Sequence, residues 1–229
     1  MHWLFEAKKR YGLIVLNCMI TSNHIHLLVA DDDSKGAISR SVQLIAGRTA
    51  QEYNWRKNRK GAYWEDRYHA TVVERDDHLF RCMAYLDLNM VRAGVVSLPS
   101  DWQFSGYNEI QNPQKRYALI NYPRLMQLLN IQTFEDLKKS HNGWIEEALE
   151  NKGCVRESKW TESVVVGSKG FIETIKKILG FQVKGRDVIR TGENYQLREH
   201  QTAYRPIFAY ENSSLSDDNT YLWDESDVI

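Results

Sequence analysis

Apolar residues form two short, nearly continuous runs near the start of the chain. These runs, LIVLNCMI (13–20) and HIHLLVA (24–30), flank the turn-forming segment TSN. Each has the length of a buried strand, so together they predict an antiparallel β-hairpin. A short helix over residues 3–10, closed by Gly12, is predicted in front of the hairpin.

The following segments predict a helix, a strand and another helix. From Lys35 towards Trp55, apolar positions recur every three or four residues, and DDDS (31–34) supplies N-cap candidates. YHATVVE (68–74) alternates like a strand, and residues 75–94 are typical of a helix that stops at its final glycine. One more strand before the first helix would complete a ferredoxin-like α+β fold, with an antiparallel sheet and helices on one face.

The pattern changes after Leu98, where turn residues become frequent. Two short helices are predicted within 123–150, and a better-marked helix over 167–180 has Ser168 as its cap and Gly180 as its stop. The final segment is rich in acidic residues, which predicts a flexible tail. We therefore expect a core domain over 1–110, a helical extension over 111–200 and a tail over 201–229.

Composition indicates the cellular compartment but identifies no binding partner. The 229 residues contain 30 basic and 30 acidic side chains, so a nucleic-acid surface would have to arise from local clustering. The three cysteines are widely spaced without a CxxC pair, which fits a reducing cytosol better than a disulfide framework or zinc finger. No run approaches the roughly 18 apolar residues of a membrane span, so we expect a cytoplasmic protein without membrane contact.

Two histidines lie one residue apart in the second predicted strand. Alternate side chains of a strand share a face, so His24 and His26 project together while Ile25 points into the core. Two imidazoles spaced in this way can bind one divalent ion. The pattern is equally typical of partly exposed histidines hydrogen-bonded to water, and composition alone does not decide between them.

Three segments together resemble a known family. MITSNHIHLLV (19–29), YWEDRYHATVV (63–73) and YLDLNMVRAGVV (85–96) are similar, in order and spacing, to segments of single-tyrosine HUH transposases. The REP-associated tyrosine transposase branch of the IS200-like transposases is the most similar. Ser22 and Met90 stand where that branch usually has proline, and the resemblance covers roughly residues 5–110.

The resemblance assigns chemistry to four residues. Tyr85 is the implied nucleophile, which attacks a DNA phosphodiester and retains the 5′-phosphate. His24, His26 and Asn89 are the implied ligands of Mg²⁺ or Mn²⁺. Because Tyr85 and Asn89 are four residues apart on a predicted helix, they share one face, and the nucleophile is thereby tied to the metal site. Free phenol, with a pKa near 10, is a weak nucleophile at neutral pH, so a metal ion would help.

A basic and aromatic segment is the predicted DNA contact. Residues 40–67 contain seven basic and three acidic side chains, interleaved with aromatic rings. Basic side chains could bind the DNA phosphates and the aromatic rings could stack on its bases. The same composition is also typical of a solvated helix end and loop. Related enzymes act on single-stranded hairpins at the ends of repeated palindromes, which favours DNA. The predicted contacts are Arg48, Arg56, Lys57, Arg59, Lys60, Trp64, Arg67 and Arg92.

The resemblance leaves three functions open. The first is metal-dependent cleavage and joining of single-stranded or hairpin DNA through a 5′-phosphotyrosine. The family usually begins with a further strand, whereas Met1 falls within the equivalent of its first helix, so a shortened copy that binds hairpin DNA without cleavage is the second. The third is a metal-dependent phosphoesterase without a covalent stage. Either a monomer or a homodimer fits the sequence.

Overall fold

Helices and short strands alternate along the described part of Met1–Glu199. The structure, a computed structural model, describes residues 1–32, 36–114, 116–150, 156–192 and 194–199. The predicted α+β class is confirmed. The tail predicted over 201–229 lies outside the described residues, and the boundary placed at residue 110 stays a prediction.

The elements begin in the predicted order and continue through a longer extension. The helices are α1 (His2–Tyr11), α2 (Ala37–Arg56), α3 (Asp77–Asp87), α4 (Asn89–Arg92), α5 (Gly106–Gln111), α6 (Tyr122–Leu128), α7 (Phe134–Glu150), α8 (Lys159–Glu162) and α9 (Lys169–Leu179). The strands are β1 (Ile14–Ile20), β2 (Ile25–Ala30), β3 (Val72–Val73), β4 (Val165–Gly167), β5 (Arg186–Thr191) and β6 (Asn194–Glu199).

The predicted helix and hairpin at the start of the chain are both present. Gly12 ends α1 in the left-handed conformation (φ +70°), and its N–H donates to the Lys8 carbonyl oxygen at 3.0 Å. Strands β1 and β2 are antiparallel, with Met19 opposite His26. The turn is closed by Thr21, whose N–H donates to the carbonyl oxygen of His24 at 2.9 Å. This local pairing fixes the position of the histidine segment.

The third predicted strand belongs to a different sheet from the hairpin. It shortens to β3, which pairs in parallel with β4 in a sheet of order β3-β4-β6-β5. The predicted ferredoxin-like arrangement is thus divided between a two-stranded and a four-stranded sheet, and the extension contains strands as well as helices. The three-valine run 164–166 leads into β4 and is buried at Val165 and Val166. Such a short apolar run does not distinguish a strand from a helix by periodicity.

Two helix boundaries test the predicted caps. The N-cap of α2 is Gly36, at φ +79°, instead of a residue of DDDS; residues 33–35 lie outside the described residues. For α9 the prediction is confirmed, because the Ser168 hydroxyl oxygen accepts from the Phe171 N–H at 3.3 Å and Gly180 follows the last turn.

The main core joins the hairpin to the extension. Buried side chains of α1, β1, α3, α5 and α6 pack in one cluster that includes Leu4, Leu16, Met83, Ile110 and Leu125. Helix α5 approaches β1 closely at Gly106, where a Cβ atom would collide with the side-chain oxygen of Asn17. Glycine is therefore required at position 106, and the contact places Asn17 in the interior next to α3.

Candidate active site

The two histidines of the hairpin lie on the same side, as the sequence predicts. Their rings are parallel within 4°, with centroids 6.0 Å apart. His24 is exposed at the end of the turn, and His26 is half-buried in β2. Burial lowers the pKa of His26, and the neighbouring His24 and Arg92 lower it further. A lowered pKa favours the neutral imidazole, which is the form that binds a metal ion.

The helix carrying Tyr85 and Asn89 is interrupted by one turn residue, Leu88, between α3 and α4. The hydrogen bonds continue across this position: the Leu88 N–H donates to Ala84 at 3.0 Å, and the Arg92 N–H donates to Leu88 at 2.9 Å. Tyr85 and Asn89 consequently remain about one helical turn apart, as predicted. Asn89 is half-buried at the first position of α4.

Tyr85 is packed between two side chains that sequence reasoning did not connect to it. Only 8% of the residue is exposed. The guanidinium carbon of Arg92 lies 3.9 Å from the centroid of the Tyr85 ring, and the Trp160 ring centroid lies 6.2 Å from it. Arg92 also acts electrostatically on His26. One arginine thus interacts with both the phenol and the imidazole of the predicted site.

The donor set suits a divalent ion with mixed nitrogen and oxygen ligands. Parallel imidazoles at His24 and His26, and an amide oxygen at Asn89, are groups that Mn²⁺ and Mg²⁺ accept from proteins. Among the described residues, no three His, Cys, Asp or Glu side chains converge on a common point. The predicted set includes only two such residues, so it depends on the asparagine as its third ligand.

The chain segment that contains these four residues matches a known family. Residues 2–89 match the model described as "Transposase IS200 like". Over these residues the chain is similar to IS200-like transposases. The match ends at Asn89 and so includes all four predicted site residues, which supports a DNA-processing function. No curated protein and no solved structure matches the chain. Within the part of the chain that the structure describes, no helix has both the length and the apolar character needed to cross a membrane.

The basic segment of the matched region lies at the end of α2 and in the loop after it. The exposed predicted contacts are Arg48, Arg56, Lys57, Arg59, Lys60 and Arg67. Trp64 is half-buried, and its indole N–H donates to the Ala46 carbonyl oxygen at 2.9 Å, so it packs against α2. Trp55 lies among these basic side chains, and 83% of its surface is exposed. Of the two tryptophans, Trp55 is the one available for stacking on a nucleobase.

We expect Trp55→Ala to weaken binding of a fluorescent single-stranded hairpin about 5- to 150-fold, because aromatic–base stacking contributes about 1–3 kcal/mol. Fluorescence anisotropy at fixed salt would measure the dissociation constant. Tyr117→Ala is the matched control, since Tyr117 is also a strongly exposed aromatic residue but lies outside the basic segment. An equal loss in both variants, or no loss for Trp55→Ala, would contradict the assignment.

Sequence reasoning set aside Asp87 and gave no role to His141. Both are fully buried, and His141 Nε2 lies 2.8 Å from Asp87 Oδ2. Their separation of 54 positions hides the pair from any local pattern. The available signal was a charged residue within an otherwise apolar helix segment, AYLDL, since an unpaired carboxylate is rarely buried.

Proposed function

We propose that this protein cleaves and rejoins single-stranded or hairpin DNA, with Tyr85 as the nucleophile and a divalent ion bound by His24, His26 and Asn89. The observation that carries the proposal is the contact of Arg92 with the Tyr85 ring at 3.9 Å, combined with its electrostatic effect on His26. These interactions link the tyrosine half of the site to the histidine half.

The proposed reaction is a transesterification without net hydrolysis. The Tyr85 oxygen forms a bond to phosphorus, the bond from phosphorus to the 3′-oxygen breaks, and the departing 3′-oxygen gains a proton while the phenol loses one. A bound divalent ion would supply charge stabilisation at the phosphate oxygens. Arg92 adds a fixed positive charge beside the nucleophile, where negative charge develops. Attack by the 3′-OH on the phosphotyrosine reverses the steps and rejoins DNA.

A second function, DNA binding without cleavage, is favoured by one specific feature. Tyr85 is 8% exposed and covered by Trp160 and Arg92, so a scissile phosphate would need these neighbours to shift before attack. If Trp160 and Arg92 still covered Tyr85 when DNA was bound, the protein would bind hairpins through its exposed basic segment and would not cleave them. Covalent chemistry therefore separates the two functions.

The first test is formation of a covalent adduct on a hairpin library. Oligonucleotides with a fixed stem, randomised single-stranded flanks and a 3′ label are incubated with the full chain and Mn²⁺, then separated under denaturing conditions. The 3′ label is used because the proposed phosphotyrosine retains the downstream fragment. We expect a labelled protein band, whereas DNA binding without this band would support the second function.

The second test is removal of the metal or of one proposed ligand. EDTA should abolish the adduct and added Mn²⁺ should restore it. His26→Ala should reduce the adduct at least about a hundredfold. Loss of a residue that only supports a metal ligand costs up to about a hundredfold, and His26 is proposed as a ligand itself. His69→Ala is the control, because His69 is an exposed histidine that bonds Ser163 outside the hairpin. Adduct formation that persists in EDTA would refute metal dependence.

A further inference from the structure

The helix that carries the proposed nucleophile also contributes to a buried polar network. Asp87, two residues after Tyr85 and two before Asn89, is completely buried. Its two carboxylate oxygens accept from the Asn17 amide nitrogen at 3.0 and 3.1 Å. One of them, Oδ2, also lies 2.8 Å from His141 Nε2. The network therefore joins β1, α3 and α7.

The direction of these hydrogen bonds follows from the fourth member, Gln111. Its amide nitrogen lies 2.9 Å from His141 Nδ1, and an amide nitrogen can only donate. His141 Nδ1 is thus the acceptor, and Nε2–H donates to the Asp87 carboxylate. Asn17 is fixed in turn, because its side-chain oxygen accepts from the Cys18 N–H at 2.8 Å. Both donors to the Asp87 carboxylate, Asn17 and His141, are therefore held in place by a second hydrogen bond of their own.

We propose that Asp87 and His141 are positioning residues for the reaction, which makes α7 of the extension part of the catalytic unit; this inference rests on the proposed function. Side chains two positions apart on a helix point to nearly opposite sides. Anchoring Asp87 on the interior side of α3 therefore fixes the rotation of the helix that presents Tyr85 and Asn89. Stability alone gives no reason for a buried carboxylate here, because apolar residues of similar volume usually serve as well.

The experiment compares three variants of the full chain at a temperature where circular dichroism shows each to be folded. His141→Ala removes the donor to Asp87, and His141→Gln restores an N–H donor at a similar distance from the backbone. Leu137→Ala is the matched control, because Leu137 is a fully buried residue of the same helix that contributes packing and no side-chain hydrogen bond. Adduct formation is followed at saturating hairpin DNA, and the dissociation constant is measured separately.

We expect His141→Ala to slow adduct formation about a hundredfold, as for a displacement of reacting groups by roughly 1 Å, with little change in DNA affinity. His141→Gln should recover most of the rate, and Leu137→Ala should keep it. A merely structural role would lower rate and affinity together and would affect His141→Ala and Leu137→Ala alike. That result would overturn the proposal.

Hydrogen exchange separates failure of this inference from failure of the proposed function. In His141→Ala, the backbone amides of residues 85–92 should exchange faster than in wild type. In Leu137→Ala, the exchange rates of these amides should not rise more than those of the other amides of α3. Unchanged exchange in His141→Ala would refute the positioning role whatever the activity. If the wild type forms no adduct but this local loosening occurs, the reaction is wrong and the anchoring of the helix stands.

Discussion

Tyr85→Phe is expected to reduce the covalent protein–DNA adduct to below about one-thousandth of the wild-type level, because no other group replaces the attacking oxygen. The phenyl ring can still pack beneath Arg92 and beside Trp160, so the fold and the DNA affinity should be retained. Denaturing electrophoresis with 3′-labelled hairpin DNA measures the adduct, and anisotropy with the same DNA measures binding.

The matched control is Tyr107→Phe, which removes the hydroxyl of another partly buried tyrosine. Tyr107 donates to Asn142 at 3.1 Å, and burial raises its pKa. This variant should form the adduct at the wild-type level. DNA cleavage that survives Tyr85→Phe without an adduct would support a metal-dependent phosphoesterase, and an adduct that survives would place the nucleophile elsewhere.

Asp87→Ala is expected to lower the free energy of unfolding by about 2–6 kcal/mol, from about 1–3 kcal/mol for each of the two buried donors that lose their acceptor. The substitution leaves the Asn17 amide and His141 Nε2–H without their acceptor in a site that excludes water. Urea unfolding followed by circular dichroism gives the measurement. Asp87→Asn, which retains one acceptor oxygen, should cost less, about 1–3 kcal/mol.

Asp77→Ala provides the matched control for this effect. Asp77 is an exposed carboxylate in the first turn of the same helix, where its interaction with the helix dipole contributes less than about 1 kcal/mol. A similar small loss for Asp87→Ala would mean that water or a shifted neighbour satisfies the freed donors, and the network would then not anchor the helix.

Local patterns predicted the parts of the fold whose causes are local. The hairpin depends on two apolar runs and a turn, and the start and end of α9 depend on Ser168 and Gly180, so the sequence contains each cause within a few residues. The partner of β3 is different. Val72 pairs with Val165, and nothing near either valine indicates which strand it will join. The sequence therefore predicted a strand but not its sheet.

The same limit applies to the candidate site. The shared face of His24 and His26 follows from strand periodicity, and the four-residue spacing of Tyr85 and Asn89 follows from helix geometry. The cover over Tyr85 comes from Trp160, which is 75 positions away along the chain. Likewise, Trp64 donates to the carbonyl oxygen of Ala46, 18 positions earlier, whereas Trp55 stays exposed, and no local pattern separates the two rings.

The parallel ladder between β3 and β4 has a consequence for synthesis on the ribosome. Val72 emerges long before Val165, so the IS200-like segment leaves the exit tunnel while the strand that will pair with β3 has not been translated. The two-stranded hairpin can close early because its contacts are near in sequence, whereas the four-stranded sheet waits for nearly 200 residues. A premature stop before β4 would release a nascent chain whose third strand has no ladder to join.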